Sequence, residues 1–562
     1  MTAPIIDIQD LSFTYRGADR PALQAVEYLH KRGEFTAVMG ATGVGKSTLC
    51  RCLNGLIPSF IKGKLTGNIS LFGEAIDSRH VYKTARRIGL VFQDFEAQLF
   101  STDVQLEVAF GLENFAVDRQ EMPQRVTSAL KRVGLSGFED RDPSTLSGGE
   151  KQRLAIASVL VSRPTVLVMD EPTTDLDPIG KRDIFDLACE LRQEIDGIIL
   201  VEHETEHVLT ADRLVIMSEG TILREGPPAD LLSDPHFLEK YGIRPLQTAV
   251  LLERLRVPAQ SLVVSDAVES IRTAGWQASL DAATKLTDSD QEISRDTPVI
   301  EVQELVHRYQ DGRAAVDGVS LRVDRGEFVA VVGQNGCGKT TLVKHFNGLH
   351  HPTEGEVSIL EKPSLDWTLS ELGRKVGYVF QNPDHQIFAN SIREEIAFGP
   401  ANFGLSPAEV SHKVEEAMEV VGLSNRGDDD PFSLTKGERQ QLAVASVLAT
   451  DPEILILDEP TTGLDYQGQR TILDLIEGLN TSGRTIIMIT HSMWVVAEYA
   501  SRCIMMSGGK VIADSPVREC FQNGELLESI MLEAPEAVRL GQAFGLSVRS
   551  IDELVNCLEK AE

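Results

Sequence analysis

The chain has 562 residues, 42% of them hydrophobic and 25% charged, with a formal net charge of -30. That length exceeds one hydrophobic core and implies two or more domains of ordinary globular composition. The acidic balance argues against a nucleic-acid binder, which needs a basic surface to release counterions, although a local glycine-rich loop can still hold a small anion.

Seven cysteines are scattered without a C-x-x-C pair, and Cys50 and Cys52 are too close for zinc-finger spacing. An odd, dispersed set fits a reducing compartment better than a disulfide framework. The opening "MTAPIIDIQD" lacks the basic and apolar stretches of a signal peptide, and no apolar run reaches about 18 residues. The expected location is the cytoplasm, or the cytoplasmic face of a membrane through a partner.

In chain order, the first segment of interest holds Tyr15, whose ring offers a face on which adenine could stack. The apolar run "FTAVM" then reads as a buried strand, and "GATGVGKS" follows it. Gly40, Ala41, Thr42, Gly43, Val44 and Gly45 form a loop whose N–H groups can point at phosphates, and the next helix aims its positive end there. Lys46 reaches the β- and γ-phosphates, the Ser47 hydroxyl suits Mg2+, and Thr48 continues the site. Gln93 is the second residue of "FQDFEAQLF", and helix formers from about Phe95 to Leu146 read as an inserted helical subdomain. In "TLSGGEKQRLAIASVL", Ser147, Gly148 and Gly149 bring small residues, a hydroxyl and free N–H groups to a helix start.

"VLVMDEPTTDLD" closes a hydrophobic strand on Asp170, placed to hold magnesium through a water, with Glu171 next to orient the attacking water. The plainer reading is a helix-capping carboxylate before Pro172. His203 ends another apolar strand, where a histidine can meet a γ-phosphate or simply sit in the core.

The chain then repeats itself. Gln93 recurs as Gln381 and His203 as His491, both at an offset of 288. The second loop is Gly333, Gln334, Asn335, Gly336, Cys337 and Gly338, followed by Lys339, Thr340 and Thr341; Tyr309 precedes it. Asp458 and Glu459 match the first acidic pair. The second helix start reads Thr435, Lys436, Gly437, so a lysine stands where the first half has Gly148. Cys337 lies beside a helix N-terminus and Lys339, both of which favour a thiolate; the alternative is a small residue that fills a tight loop. The repetition moves Asp170, Glu171, His203 and their counterparts from the plain readings to the catalytic ones. The tails after Phe237 and Leu526 also resemble one another as small helical extensions, and the polar stretch "AATKLTDSDQEISRDTP" reads as a solvated linker. A parallel sheet flanked by helices is expected in each half.

With these motifs, both halves resemble ATP-binding cassettes of the ABC superfamily. The resemblance implies an α/β fold of two tandem P-loop ABC ATPase domains, each with a mixed or parallel sheet core, a helical subdomain and a small C-terminal extension. The domains would run 1–240, 241–297 (extension and linker), 298–525 and 526–562. It implies ATP hydrolysis, ATP and Mg2+ as cofactors, Gln93 and Gln381 as nucleotide and metal contacts, and loops around Asp177 and Asp465. It also implies head-to-tail pairing within the chain. Lys46, Glu171 and His203 would then face Leu434 to Glu438, and Lys339, Glu459 and His491 would face Leu146 to Glu150.

"FQDFEAQLF" and "FQNPDHQIF" further resemble the segment of energy-coupling-factor transporter ATPases that receives coupling helices of a transmembrane T component beside a substrate-binding S component. Carried over, Gln93, Asp94, Gln98, Leu99 and Phe100 line one groove, and Gln381, Asp384, Gln386, Ile387 and Phe388 the other. Phe95 stands where the pattern has proline. Asp94, Glu96 and Asp384 would offer acid to arginines of the partner. The expected cargo class is a vitamin or transition metal ion. Leu99 and Phe100 packing the helical subdomain, a fused sugar-importer motor and a tandem translation factor remain as alternatives.

Overall fold

The computed structural model describes residues 4–76, 80–174, 176–279, 282, 297–310 and 312–561. Most of the linker stretch, residues 283–296, lies outside them. The chain divides into two compact units, Met1–Ala249 and Val250–Glu562.

In the first unit the strands Glu34–Met39, Gly197–Val201, Val166–Asp170 and Ile88–Val91 are paired in parallel, and Arg213–Ser218 joins the other side of Glu34–Met39. Strand Thr221–Gly226 closes that edge antiparallel. The expected parallel sheet is therefore a six-stranded mixed one. The strands Val166–Asp170 and Gly197–Val201 are buried at every position, which is why they read as continuous apolar runs rather than alternating ones. A four-stranded antiparallel sheet built on Pro4–Tyr15, Leu23–Lys31 and Gly63–Leu71 covers the sheet beside the phosphate loop. Its outer strand alternates between buried and exposed residues as a one-sided sheet requires.

The helical insertion is present as helices Val104–Asn114, Met122–Arg132 and Gly148–Leu160. Local chemistry sets their starts. Asp103 accepts from Leu106 N–H, and Ser147 with Glu150 forms a reciprocal capping box.

The second unit repeats this order with strands Val376–Val379, Ile454–Asp458, Thr485–Ile489, Phe328–Gly333, Arg502–Ser507 and Lys510–Pro516. Its helical insertion is Ile392–Asn402, Pro407–Val420 and Lys436–Leu448. Leu90 in the first unit's edge strand corresponds to Tyr378 in the second, a difference that matters at the site.

The helical tail after Val250 packs inside the second unit. Helix Val264–Thr273 lies against Glu536–Ala543, and the strand Trp276–Ala278 pairs antiparallel with Leu558–Lys560. Sequence pattern indicated the helices; three-residue strands are too short to show a period, and only the pairing reveals them. The core of this region holds Arg518, only 7% exposed, which donates to Glu553 through both terminal nitrogens (2.7 and 2.8 Å) and to the Ser547 carbonyl (2.9 Å). Burial alone would push the Glu553 carboxyl up, but Arg518 and the Arg549 N–H outweigh it and hold it below the usual range.

Breaking that buried pair strands a charge, so Arg518→Ala should destabilise the second unit by about 3 kcal/mol. Arg254→Ala, which removes an exposed pair with Asp552, should cost at most about 1 kcal/mol. Urea unfolding followed by tryptophan fluorescence measures this directly, because all three tryptophans lie in the second unit.

Candidate functional site

In each unit the strand before the phosphate loop ends against its neighbour. A Cβ on Gly40 would lie 2.3 Å from the Met217 carbonyl oxygen, and one on Gly333 2.2 Å from that of Met506. Only glycine fits there, at φ 150 and 145. The helices Lys46–Asn54 and Lys339–Lys344 start at the loop's end, so their first N–H groups face the space it encloses.

Lys46 is 4% exposed and donates to the carbonyls of Gly40 (2.8 Å) and Ala41 (2.9 Å); Lys339 does the same with Gly333 and Gln334. Thr42, Gly43, Val44, Gly45 and Asn335, Gly336, Cys337, Gly338 complete the two loops. Ser47 Oγ donates to Asp170 (3.0 Å), and Thr340 Oγ1 donates to Asp458 (3.2 Å). Each hydroxyl–carboxylate pair is a hard-oxygen donor set of the kind that suits Mg2+.

Glu171 and Glu459 follow their strands with φ of 50 and 48, a left-handed turn unusual for a long side chain. That turn brings the carboxylates back to the loops. Glu171 accepts from Gln93 Nε2 (2.7 Å), lies 2.7 Å from His203 Nε2 and is 3.8 Å from Lys46 Nζ. Glu459 accepts from Gln381 Nε2 (3.3 Å) and Thr462 Oγ1 (3.2 Å) and pairs with His491 Nδ1 (3.2 Å). No helix starts at Asp170 or Asp458; capping is the work of Asp177 and Asp465, which accept from Gly180 and Gly468 N–H. One centre in each unit thus gathers the lysine, acidic pair, glutamine and histidine expected from sequence.

The two centres differ. Tyr378 donates to Asp458 (2.7 Å), whereas Leu90 gives Asp170 nothing. Burial, then the neighbouring Glu171, push Asp170 up to about 6. Burial also raises Asp458, against the hydrogen bond from Tyr378. Burial would raise Glu459 as well, but His491, Lys339 and Thr462 hold it below the ordinary carboxylate range. Glu202, absent from the sequence reading, is 3% exposed beside His203 and binds Thr173 Oγ1 and the His203 N–H; its counterpart is Thr490. The only sequence signal for these residues is the mismatch between aligned halves.

Tyr15 and Tyr309 direct their hydroxyls to Thr48 and Thr341 (2.9 and 3.0 Å), which ties both rings to the phosphate-loop helices. Cys337 corrects the sequence expectation of a thiolate: at 6% exposure, burial outweighs Lys339 and the backbone, and the thiol lies above its usual range. At the capped helix starts, Ser147 and Thr435 accept from Glu150 and Glu438, leaving Gly148, Gly149, Lys436 and Gly437 with N–H groups that have no intrahelical acceptor. The Lys436 side chain is partly buried and folds against Gly463, so it does not simply extend into solvent.

The proposed groove segments are more internal than expected. Gln98 and Gln386 reach carbonyls and serines of the adjoining helices. Asp94 accepts from Ala97 N–H, and Glu96 and Asp384 are paired with Lys151 and Arg439. Ile387 is 4% exposed. What faces outward is Phe100 and Phe388, 61% and 60% exposed, each edge-on to a second exposed ring, Phe110 or Phe398.

The ABC transporter family profile matches residues 23–174 and 316–462. A provisionally named ABC transporter ATP-binding protein of Caldanaerobacter subterraneus subsp. tengcongensis is 45% identical over 99% of both chains. Another, from Methanosarcina acetivorans, is 38% identical over 96% of this chain and 90% of its own. A solved structure of cbiO1 from Clostridium perfringens, described as part of the ABC transporter complex cbiONQ, is 34% identical over 42% of this chain and 95% of that one. Its TM-score is 0.39, too low to carry an inference.

Asp170→Asn keeps an acceptor for Ser47 and removes a charge that the fold disfavours. The ionised form is penalised above about 6, and the penalty fades as pH falls toward the unfolded value of 3.8. At pH 7.5 the nucleotide-free variant should melt higher than the parent, with a smaller gain at pH 5, while its MgATP hydrolysis falls. Calorimetry at both pH values with a phosphate-release assay checks all three outcomes.

Proposed function

The chain belongs to the ABC transporter family and is an ATPase subunit of that kind; from this premise we propose that it drives an importer of the energy-coupling-factor type for a vitamin or transition metal ion. The observation that carries this reading is the pair of F-Q segments, each following an edge strand and ending on an exposed phenylalanine, Phe100 or Phe388. These rings offer an apolar seat for coupling helices of a separate transmembrane T component, which itself holds a substrate-binding S component. No helix among the described residues is long and apolar enough to cross a membrane, and in this reading the membrane path lies on other chains. A peripheral place on the cytoplasmic face follows from that role.

In the proposed cycle the cassettes of one chain close head to tail on two ATP molecules. Lys46 and Lys339 exchange carbonyl partners for phosphate oxygens, an exchange that keeps a buried ammonium satisfied throughout. Ser47 with Asp170, and Thr340 with Asp458, would hold Mg2+, joined by Gln93 and Gln381; the ion would supply charge neutralisation at the phosphates. Glu171 and Glu459 orient the attacking water. His203 and His491, now resting on those carboxylates, are placed to turn to the γ-phosphate. Ser147 to Gly149 and Thr435 to Gly437 contribute N–H groups from the opposite cassette, and Tyr15 and Tyr309 flank adenine. The domain limits adopted for this scheme are 1–240, 241–297, 298–525 and 526–562.

The sites are proposed to be unequal. Lys436 retains its backbone N–H but adds a long side chain and an ammonium where the other array has only Gly148, and preorganisation of donors governs transition-state stabilisation. In the assembled transporter, Glu459→Gln should remove nearly all ATPase activity, whereas Glu171→Gln should leave a substantial fraction. Steady-state phosphate release reads the order, and a reversed order rejects the inequality.

Phe100→Asp with Phe388→Asp should abolish co-purification with the T component while nucleotide binding persists. Recovery of a T and an S component with the parent chain supports the energy-coupling-factor reading. Recovery of a sugar permease, or retention of the T component by the double variant, rejects it.

A further inference from the structure

The first unit contains a cleft of about 860 Å³ away from the phosphate loop, between helix Val81–Arg87 and the end of the helical insertion. Its volume lies within the range of about 300–1,000 Å³ typical of ligand pockets. Five cations line it: Lys83, Arg86, Arg87, Arg125 and Arg163. Among the described residues the one acid on its wall, Glu74, is paired with Arg87 (2.8 Å), and Arg125 is held by Glu121 (2.8 Å). Lys83, Arg86 and Arg163 have no ion-pair partner among the described residues. Three cations without an ion-pair partner among the described residues thus line one concavity of a chain whose net charge is -30.

The second unit shows the same frame with the charge cancelled. Arg163 corresponds to Asp451, and both sit in a left-handed turn at φ 53 and 54. That conformation is tolerated by aspartate and is uncommon for arginine. Asp451 pairs with Lys413, the counterpart of Arg125, and with Arg484. Thr165 corresponds to Glu453, which pairs with Lys375, the counterpart of Arg87. Lys83 corresponds to Glu371, whose carboxylate caps its own helix. Arg374, the counterpart of Arg86, donates to the Phe403 carbonyl. Among the described residues the duplicated scaffold thus pairs most of its cations with its own acids or carbonyls in one unit and leaves Lys83, Arg86 and Arg163 without such partners in the other.

We infer that the first unit's cleft is a binding site for a phosphate-bearing anion, distinct from the ATP loops. Arg86 and Arg163 offer planar donor forks that match phosphate oxygens, Lys83 adds a point charge, and the exposed ring of Tyr82 stands at the rim. The anion supplies the negative charge that Asp451 and Glu453 provide in the second unit. The same chemistry is available from a soluble phosphorylated molecule or from an anionic lipid headgroup.

The test uses the full chain carrying Lys46→Ala and Lys339→Ala, so that the ATP loops do not capture the probe. Inorganic pyrophosphate is titrated calorimetrically, and vesicles of phosphatidylglycerol or of phosphatidylcholine are tested by co-sedimentation. Arg163→Asp reproduces the residue the second unit carries at the same backbone geometry, and Arg86→Ala is the companion variant. Pyrophosphate binding at one per chain, weakened about tenfold or more by either substitution, is the expected result for a soluble ligand. Selective sedimentation with phosphatidylglycerol, lost in both variants, identifies a headgroup as the source. Absence of both interactions, or binding indifferent to Arg163→Asp and Arg86→Ala, overturns the inference.

Discussion

Both centres depend on a lysine that is buried without being stranded. Lys46 and Lys339 are almost inaccessible, yet each ammonium is held by two carbonyls of its own loop. An ammonium without such partners would be costly to bury, so the loop must curl around it. The curl requires Gly40 and Gly333, where a side chain would collide with the neighbouring strand's carbonyl. The loop is thereby shaped around the ammonium, and in the proposed cycle phosphate oxygens take the place of those carbonyls.

The acidic pair is the second constraint, and it opposes stability. Asp170 and Glu171 place two carboxylates at the end of a fully buried strand, with burial and mutual repulsion both favouring protonation of the aspartate. The neighbouring lysine, glutamine and histidine offset part of that cost. In the proposed function such a site trades stability for a place that would favour a cation beside anionic phosphates.

Duplication allows each unit to serve as the other's control. The backbone frames agree down to the left-handed glutamates and the capping boxes, while individual side chains diverge. Tyr378 against Leu90 alters the environment of one aspartate only. Arg163 against Asp451, with Thr165 against Glu453, changes the charge balance at corresponding places in the two units. A retained frame with a changed side chain separates what folding requires from what a particular site adds.

Sequence alone determined the duplication, the phosphate loops, the acidic pairs, the helical insertion and the strands at their cores. Each of these is written locally, in glycine spacing, continuous apolar runs or a capping residue at a helix start. It also placed Gln93, His203, Gln381 and His491, because an equal offset in two copies is itself a positional signal. Tertiary structure decided the rest. Cys337 has neighbours in sequence that favour a thiolate, but the atoms that desolvate it come from distant segments. The acids of the F-Q segments look available until Lys151 and Arg439 are found beside Glu96 and Asp384. The cationic cleft joins residues from Glu74 to Thr165, which no local pattern connects. Periodicity and spacing report only what lies along the chain, whereas burial and charge balance depend on what folding brings across it.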